Sequence, residues 1–75
     1  MENKSLKITR ITDINISGKP FTLRLHTQTD GKTIIQSNKD SKEFWNLDEN
    51  FERTTKFYLY ASFDLAYNAV LQKFS

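Results

Sequence analysis

Cysteine is absent from the chain, and glycine and proline are scarce, with two Gly and one Pro in 75 residues. The lack of cysteine excludes a disulfide framework, a thiol nucleophile and a cysteine-type zinc site. The low Gly and Pro content, together with six Phe, three Tyr and one Trp, indicates a folded chain rather than a disordered one. We therefore expect one small domain over residues 1–75, stabilised by burial of apolar side chains.

Long apolar runs are also missing. No run approaches the roughly 18 residues of a membrane span, and the amino terminus lacks the apolar core of a secretory signal. We therefore expect no membrane association and a cytoplasmic location. A short chain rich in Lys, Asn and Ile is typical of bacteriophages and mobile elements of AT-rich hosts, so we expect such an origin, with the host cytoplasm as the site of action.

Residues suited to catalysis or to metal binding are few. His26 is the one histidine, with no cysteine or second histidine to complete a metal site. The carboxylates Asp48 and Glu49 fall in a polar loop where nothing in the sequence would shift their pKa values. Gly18 and Gly31 are isolated turn glycines rather than parts of a phosphate-binding loop. We therefore expect no enzymatic activity, no cofactor and no metal.

The densest apolar content lies near the carboxyl end. Residues 56–61 alternate in polarity, which predicts a strand. Its buried face would carry Phe57, Leu59 and Ala61, and its exposed face Lys56, Tyr58 and Tyr60. The apolar spacing then changes to three and four, which predicts a helix over residues 63–74.

Three residues mark the ends of this helix. Ser62 suits the N-cap because its hydroxyl accepts from a free backbone N–H. Asp64 in the first turn and Lys73 in the last suit the helix dipole. The helix is apolar around most of its circumference, so either a curved sheet wraps it or one side of it is an interface.

The first half of the chain predicts strands. Residues 6–16 are rich in Ile and Thr and alternate imperfectly, which predicts a strand with a bulge within residues 9–13. A short helix over residues 8–14 is the alternative. The turn at residues 17–20 contains Gly and Pro and ends this strand.

Residues 21–28 and 32–37 predict a hairpin around the Asp-Gly pair that ends at Gly31. The sequence is compatible with both a two-residue turn and a three-residue loop with a bulge at Gly31. We favour the three-residue loop because it sets Ile35 opposite Leu25 and so aligns two aliphatic side chains. The inward side chains of the first strand would be Phe21, Leu23 and Leu25, and the outward ones Thr22, Arg24 and His26.

A further short strand is predicted over residues 42–47. Phe44 and Trp45 are adjacent and must point to opposite faces of it. Residues 48–53 predict an acidic loop anchored by Phe51. The predicted fold class is therefore α+β, an antiparallel sheet of four to five strands with one C-terminal helix packed on a face.

Charge is distributed unevenly along the chain. Up to Lys39 there are seven Lys and Arg against three Asp and Glu, and from Asp40 onward four against six. The interpretation we favour is two solvated surfaces that attract each other within the fold or across a dimer.

These features favour a small, non-enzymatic protein-binding module, encoded by a phage or mobile element, that inhibits or modulates a host protein. A homodimer is compatible with them, and a structural subunit of a larger assembly is a third hypothesis. Exposed aromatic and acidic side chains would make the contact. The predicted partner-binding residues are Tyr58, Tyr60, Trp45, Asp48 and Glu49.

The alternative function is single-stranded nucleic-acid binding. Basic side chains on one hairpin face would neutralise the backbone, and Trp45 and Tyr58 would stack on bases. The basic residues of this alternative are Arg24, His26 and Lys32. It predicts an affinity that falls steeply with added salt.

Overall fold

The computed structural model describes residues 7–74. They form one five-stranded antiparallel sheet, in which strand order follows chain order, and one C-terminal helix. The strands are β1 (Ile8–Asn15), β2 (Thr22–Gln28), β3 (Thr33–Ser37), β4 (Trp45–Leu47) and β5 (Arg53–Thr54), and the helix is α1 (Phe63–Lys73). The predicted α+β fold class is confirmed.

Strand β1 carries the predicted bulge near its start. Its register against β2 shifts between Ile8 and Arg10, which makes Thr9 the extra residue. The predicted bulge is therefore confirmed, and the helical alternative for this segment is wrong. The predicted strand began at Leu6, which lies outside the described residues, and ran one residue too far, to Ile16.

Strands β2 and β3 form the predicted hairpin. Leu25 pairs with Ile35, and the Gln28 N–H donates to the Lys32 carbonyl at 2.8 Å. Gly31 has a φ of 92°, which favours glycine. The three-residue loop that we favoured is confirmed.

The hydrophobic core lies between α1 and the strands β2 and β3. We call the sheet face that carries the helix the inner face and the opposite one the outer face. The buried cluster consists of Leu23, Leu25, Ile35, Leu47, Ala66 and Val70. At the start of α1 the Leu65 N–H donates to Ser62 Oγ at 3.2 Å, which confirms the predicted N-cap.

The helix covers only the middle of the sheet. Its backbone lies closest to β2 and β3, whereas Ile14 of β1 and Leu47 of β4 pack at the margins of the same core. Three large apolar side chains of the helix are exposed by 38–53%, namely Leu65, Tyr67 and Leu71. The sheet therefore does not wrap around the helix.

The strand predicted over residues 56–61 is wrong. Only Tyr60 pairs, through N–H···O bonds of 2.8 and 3.0 Å exchanged with Thr33. The reason is competition for the edge of β3, because β4 already pairs with its last two residues. The predicted facing is wrong as well, since Phe57, Leu59 and Ala61 are exposed whereas Tyr60 is partly buried against the core.

The strand predicted over residues 42–47 is shorter than expected, because β4 contains only its last three residues. The turn that follows is closed by the Phe51 N–H, which donates to the Asp48 carbonyl at 2.9 Å. The Phe51 ring packs 6.1 Å from the Phe74 ring, which confirms Phe51 as an anchor. Arg53, assigned to the loop by the sequence, begins β5.

Candidate protein-interaction surface

The candidate site lies where β4 parts from β3. After Leu47 the chain leaves β3, forms β5, and returns to the same strand at Tyr60. The returning segment and the β4–β5 turn therefore come close to each other. We call residues 57–60 together with Asp48 and Glu49 the aromatic–acidic patch.

Large apolar side chains are exposed at consecutive positions in this patch. Phe57 is 49% exposed, Tyr58 36% and Leu59 38%. The Tyr58 and Tyr60 rings meet edge to face with centroids 4.9 Å apart, a geometry that aromatic quadrupoles favour. Sequence reasoning missed Phe57 and Leu59 because alternation is the same in a paired strand and in an extended segment without a partner.

Two carboxylates act on the aromatic part of the patch. Burial is the main reason that the pKa of Tyr60 lies above its ordinary value. Tyr58, and then the charges of Asp48 and Glu49, raise this pKa further. Tyr60 therefore keeps its phenolic proton at neutral pH.

Trp45 lies apart from the other four predicted partner-binding residues. It pairs with Ser37 on the inner face, and the Arg53 guanidinium carbon lies 3.4 Å from its ring centroid. It lines a cleft of about 420 Å³ between the β4–β5 hairpin and the end of α1, together with Phe51 and Phe74. Its buried Nε1 has no hydrogen-bond partner within residues 7–74.

Arg24, the first residue of the nucleic-acid alternative, is held within the fold. Its Nε donates to Asp13 Oδ1 at 2.7 Å, and Nη2 reaches Asp13 Oδ2 at 3.4 Å. The hydrogen bond from Arg24 holds the pKa of Asp13 below its ordinary value. The guanidinium carbon also lies 4.0 Å from the Phe44 ring centroid. The charge of Arg24 is thus paired with that of Asp13.

His26 is partly buried, which corrects the expectation of an ordinary exposed strand histidine. Its Nε2 is buried without a hydrogen-bond partner among the described side chains and backbone. Burial lowers the pKa of His26, and the neighbouring Gln36 amide only partly opposes this effect. His26 is therefore neutral at pH 7. Lys32 is exposed in the hairpin loop.

No group of three or more His, Asp or Glu side chains in residues 7–74 is arranged to hold a metal ion. Within the same residues, no helix has the length and apolar character needed to cross a membrane. No protein-family model, curated protein or solved structure matches this chain.

Proposed function

We propose that this protein is a non-enzymatic binding module that docks on another protein through the aromatic–acidic patch. The observation that carries the proposal is the exposure of Phe57, Tyr58 and Leu59 on consecutive positions next to Tyr60, on which the charges of Asp48 and Glu49 act. Adjacent exposed apolar side chains mark interaction sites on small proteins. Aromatic residues are also enriched at such sites, because they bury a large area at a low cost in side-chain entropy.

The chemistry of the patch defines the partner surface that would fit it. The apolar side chains suit a shallow hydrophobic groove, and the Tyr60 hydroxyl offers a hydrogen-bond donor. Asp48 and Glu49 suit a rim of Lys or Arg on the partner, since opposite charges orient a complex and accelerate association.

The cellular role we propose is inhibition or modulation of a host protein by a phage or mobile-element product. The short chain and its Lys, Asn and Ile content support this part of the proposal. A module of this kind acts by occupying a surface that the partner needs for another contact.

The first test is capture of host proteins on immobilised wild-type protein and on the double variant Phe57→Ala/Tyr58→Ala. Both side chains are exposed, so their truncation should leave the circular dichroism spectrum unchanged. The matched control is Leu65→Ala, which removes a side chain that is 53% exposed on the helix. We expect a partner that the wild type and the control retain and that the double variant loses.

A second variant, Glu49→Lys, tests the charged part of the patch. It should slow association with the captured partner, and added salt should reduce the difference from the wild type. Equal capture by the wild type and by Phe57→Ala/Tyr58→Ala would refute the proposal. Binding of a mixed-sequence single strand that weakens steeply with salt would replace it with the nucleic-acid alternative.

A further inference from the structure

Strand β1 lies at one side of the sheet. It is the longest strand, with eight residues, and within residues 7–74 no strand pairs with its free edge. Alternate backbone N–H and C=O groups along such an edge are available to a second strand. This edge lies across the sheet from the aromatic–acidic patch, which is next to β3 and β4.

The edge of β1 lacks the features that usually block strand addition. Charged side chains on an edge strand deter pairing, but those of β1 are engaged within the fold. Asp13 is bound by Arg24 at 2.7 Å, and the Arg10 guanidinium carbon lies 5.6 Å from the Phe63 ring centroid. The bulge at Thr9 is confined to the start of the strand, so the register from Arg10 to Asn15 is regular.

Apolar side chains flank this edge on both faces of the sheet. On the inner face a groove of about 370 Å³ runs between β1 and α1, lined by Ile14, Ile16, Tyr67 and Leu71 among others. Tyr67 is 38% and Leu71 47% exposed. On the outer face Ile11 is 54% exposed. A strand added at this edge would therefore bury apolar area as well as form backbone hydrogen bonds.

We propose that the strand added at this edge is β1 of a second copy, so that two sheets join into one across a two-fold axis. A two-fold axis perpendicular to the sheet makes the two β1 strands antiparallel and keeps both helices on the same face. Each β1 residue must then lie opposite a residue whose side chain is on the same face of the sheet. This condition is met when one residue lies opposite the same residue of the second copy, with the axis midway between the two.

The axis passes at Thr12. The regular stretch from Arg10 to Asn15 has its middle between Thr12 and Asp13. An axis at Asp13 would set two carboxylates opposite each other, which is unfavourable. An axis at Thr12 pairs the two threonine side chains and sets Arg10 opposite the partner subunit's Ile14.

The dimensions of the edge suit a dimer. Eight strand residues span about 26 Å, and the shortest dimension of the molecule is 20 Å. The flat footprint is therefore roughly 500 Å² per copy, or about 1,000 Å² in total, which is at the lower limit for a specific interface. A chain this short also gains stability from the additional burial.

The first experiment measures mass by light scattering after size exclusion, for the wild type, Leu71→Lys and Leu65→Lys. Both substitutions place a lysine at an exposed helix leucine, but Leu65 lies away from the groove. We expect a dimer for the wild type and for Leu65→Lys, and at least about a tenfold increase in the dimer Kd for Leu71→Lys. A monomeric wild type at about 100 μM, a concentration that populates any dimer with a Kd in the micromolar range, would overturn the proposal. So would equal effects of the two lysines.

The second experiment uses the absence of cysteine from the chain. In Thr12→Cys the two new thiols face each other across the axis, where directly opposite Cβ atoms lie roughly 4.5–5.5 Å apart, close to disulfide geometry. We expect mild oxidation to convert Thr12→Cys to a covalent dimer much faster than Asn68→Cys, whose thiol is exposed on the helix. Equal rates for the two variants would contradict the proposed axis.

Discussion

The Arg53 guanidinium carbon lies 3.4 Å from the centroid of the Trp45 ring. Arg53 belongs to β5 and Trp45 to the neighbouring β4, and both side chains line the inner-face cleft that α1 leaves uncovered. Because Trp45 is the one tryptophan of the chain, tryptophan fluorescence reports on this cleft.

Arg53→Ala should expose the Trp45 ring to water and shift its emission maximum to longer wavelength. It should also remove an exposed cation–π contact worth about 0.5–1 kcal/mol of the free energy of unfolding. The measurements are the emission spectrum and urea unfolding followed by fluorescence. The control is Arg10→Ala, which removes a cation from the Phe63 ring elsewhere in the fold and should leave the emission maximum unchanged. An unshifted spectrum for Arg53→Ala would show that the guanidinium does not cover Trp45 in solution.

Acidification from pH 7.5 to 5.5 should destabilise the protein through His26. Burial holds the pKa of folded His26 below 6.5, so the unfolded chain binds a proton at a higher pH than the folded chain does. The free energy of unfolding should therefore fall as the pH drops through 6.5 towards the folded pKa. Urea unfolding at the two pH values measures this loss.

The control for the pH experiment is His26→Gln, which does not titrate. Carboxyl groups titrate near pH 4, below the range tested, so the excess loss of the wild type over the variant isolates His26. Equal losses in the two proteins would mean that the imidazole is as well solvated in the folded state as in the unfolded one.

Ser62→Ala should lower the free energy of unfolding by about 1 kcal/mol, within a range of roughly 0.5–2. The cause is loss of the acceptor for the Leu65 N–H, which Ser62 Oγ binds at 3.2 Å. Urea unfolding at constant pH measures this decrease in the free energy of unfolding. Ser62→Asn keeps a side-chain acceptor at the N-cap and should stay close to the wild type. If Ser62→Asn lost as much stability as Ser62→Ala, the hydroxyl would be acting by some means other than capping.

The parts of the fold that the sequence predicted depend on local chemistry. Gly31 has the positive φ that the loop requires, and the pairing of Leu25 with Ile35 follows from aligning two aliphatic side chains across it. The cap at Ser62 is equally local, because its hydroxyl and the N–H that it accepts from are three residues apart. Signals of this kind need no knowledge of distant parts of the chain.

The failures arose where two distant segments compete for one strand. Residues 56–61 have the composition and alternation of a strand, yet β4 pairs with the end of β3, and of these residues only Tyr60 pairs, with Thr33. Nothing near Tyr60 in the sequence reports on that competition. The same pairing determines the candidate site, because it leaves Phe57 and Leu59 exposed and brings Tyr60 within reach of the Asp48 charge.

The burial of His26 also could not be predicted from local sequence. Its position on the outer face was predicted correctly, but its burial depends on neighbouring strands. It pairs with Ile11 of β1 and with Ile34 of β3, and Ile34 is only 2% exposed although it points away from the helix. Alternation identifies the face of a side chain, whereas the area left to water depends on how closely the neighbouring strands pack.

Strand order in the sheet follows chain order, so each described strand pairs with the strand before it or after it in the chain. Formation of the sheet therefore requires the closure of short loops, and the entropy lost in closing a loop increases with its length. The longest closure within the described sheet joins Thr33 to Tyr60. We expect the β2–β3 hairpin to form early in folding, and α1 and the aromatic–acidic patch to dock in later steps. The proposed binding surface would then be among the last parts of the fold to become ordered.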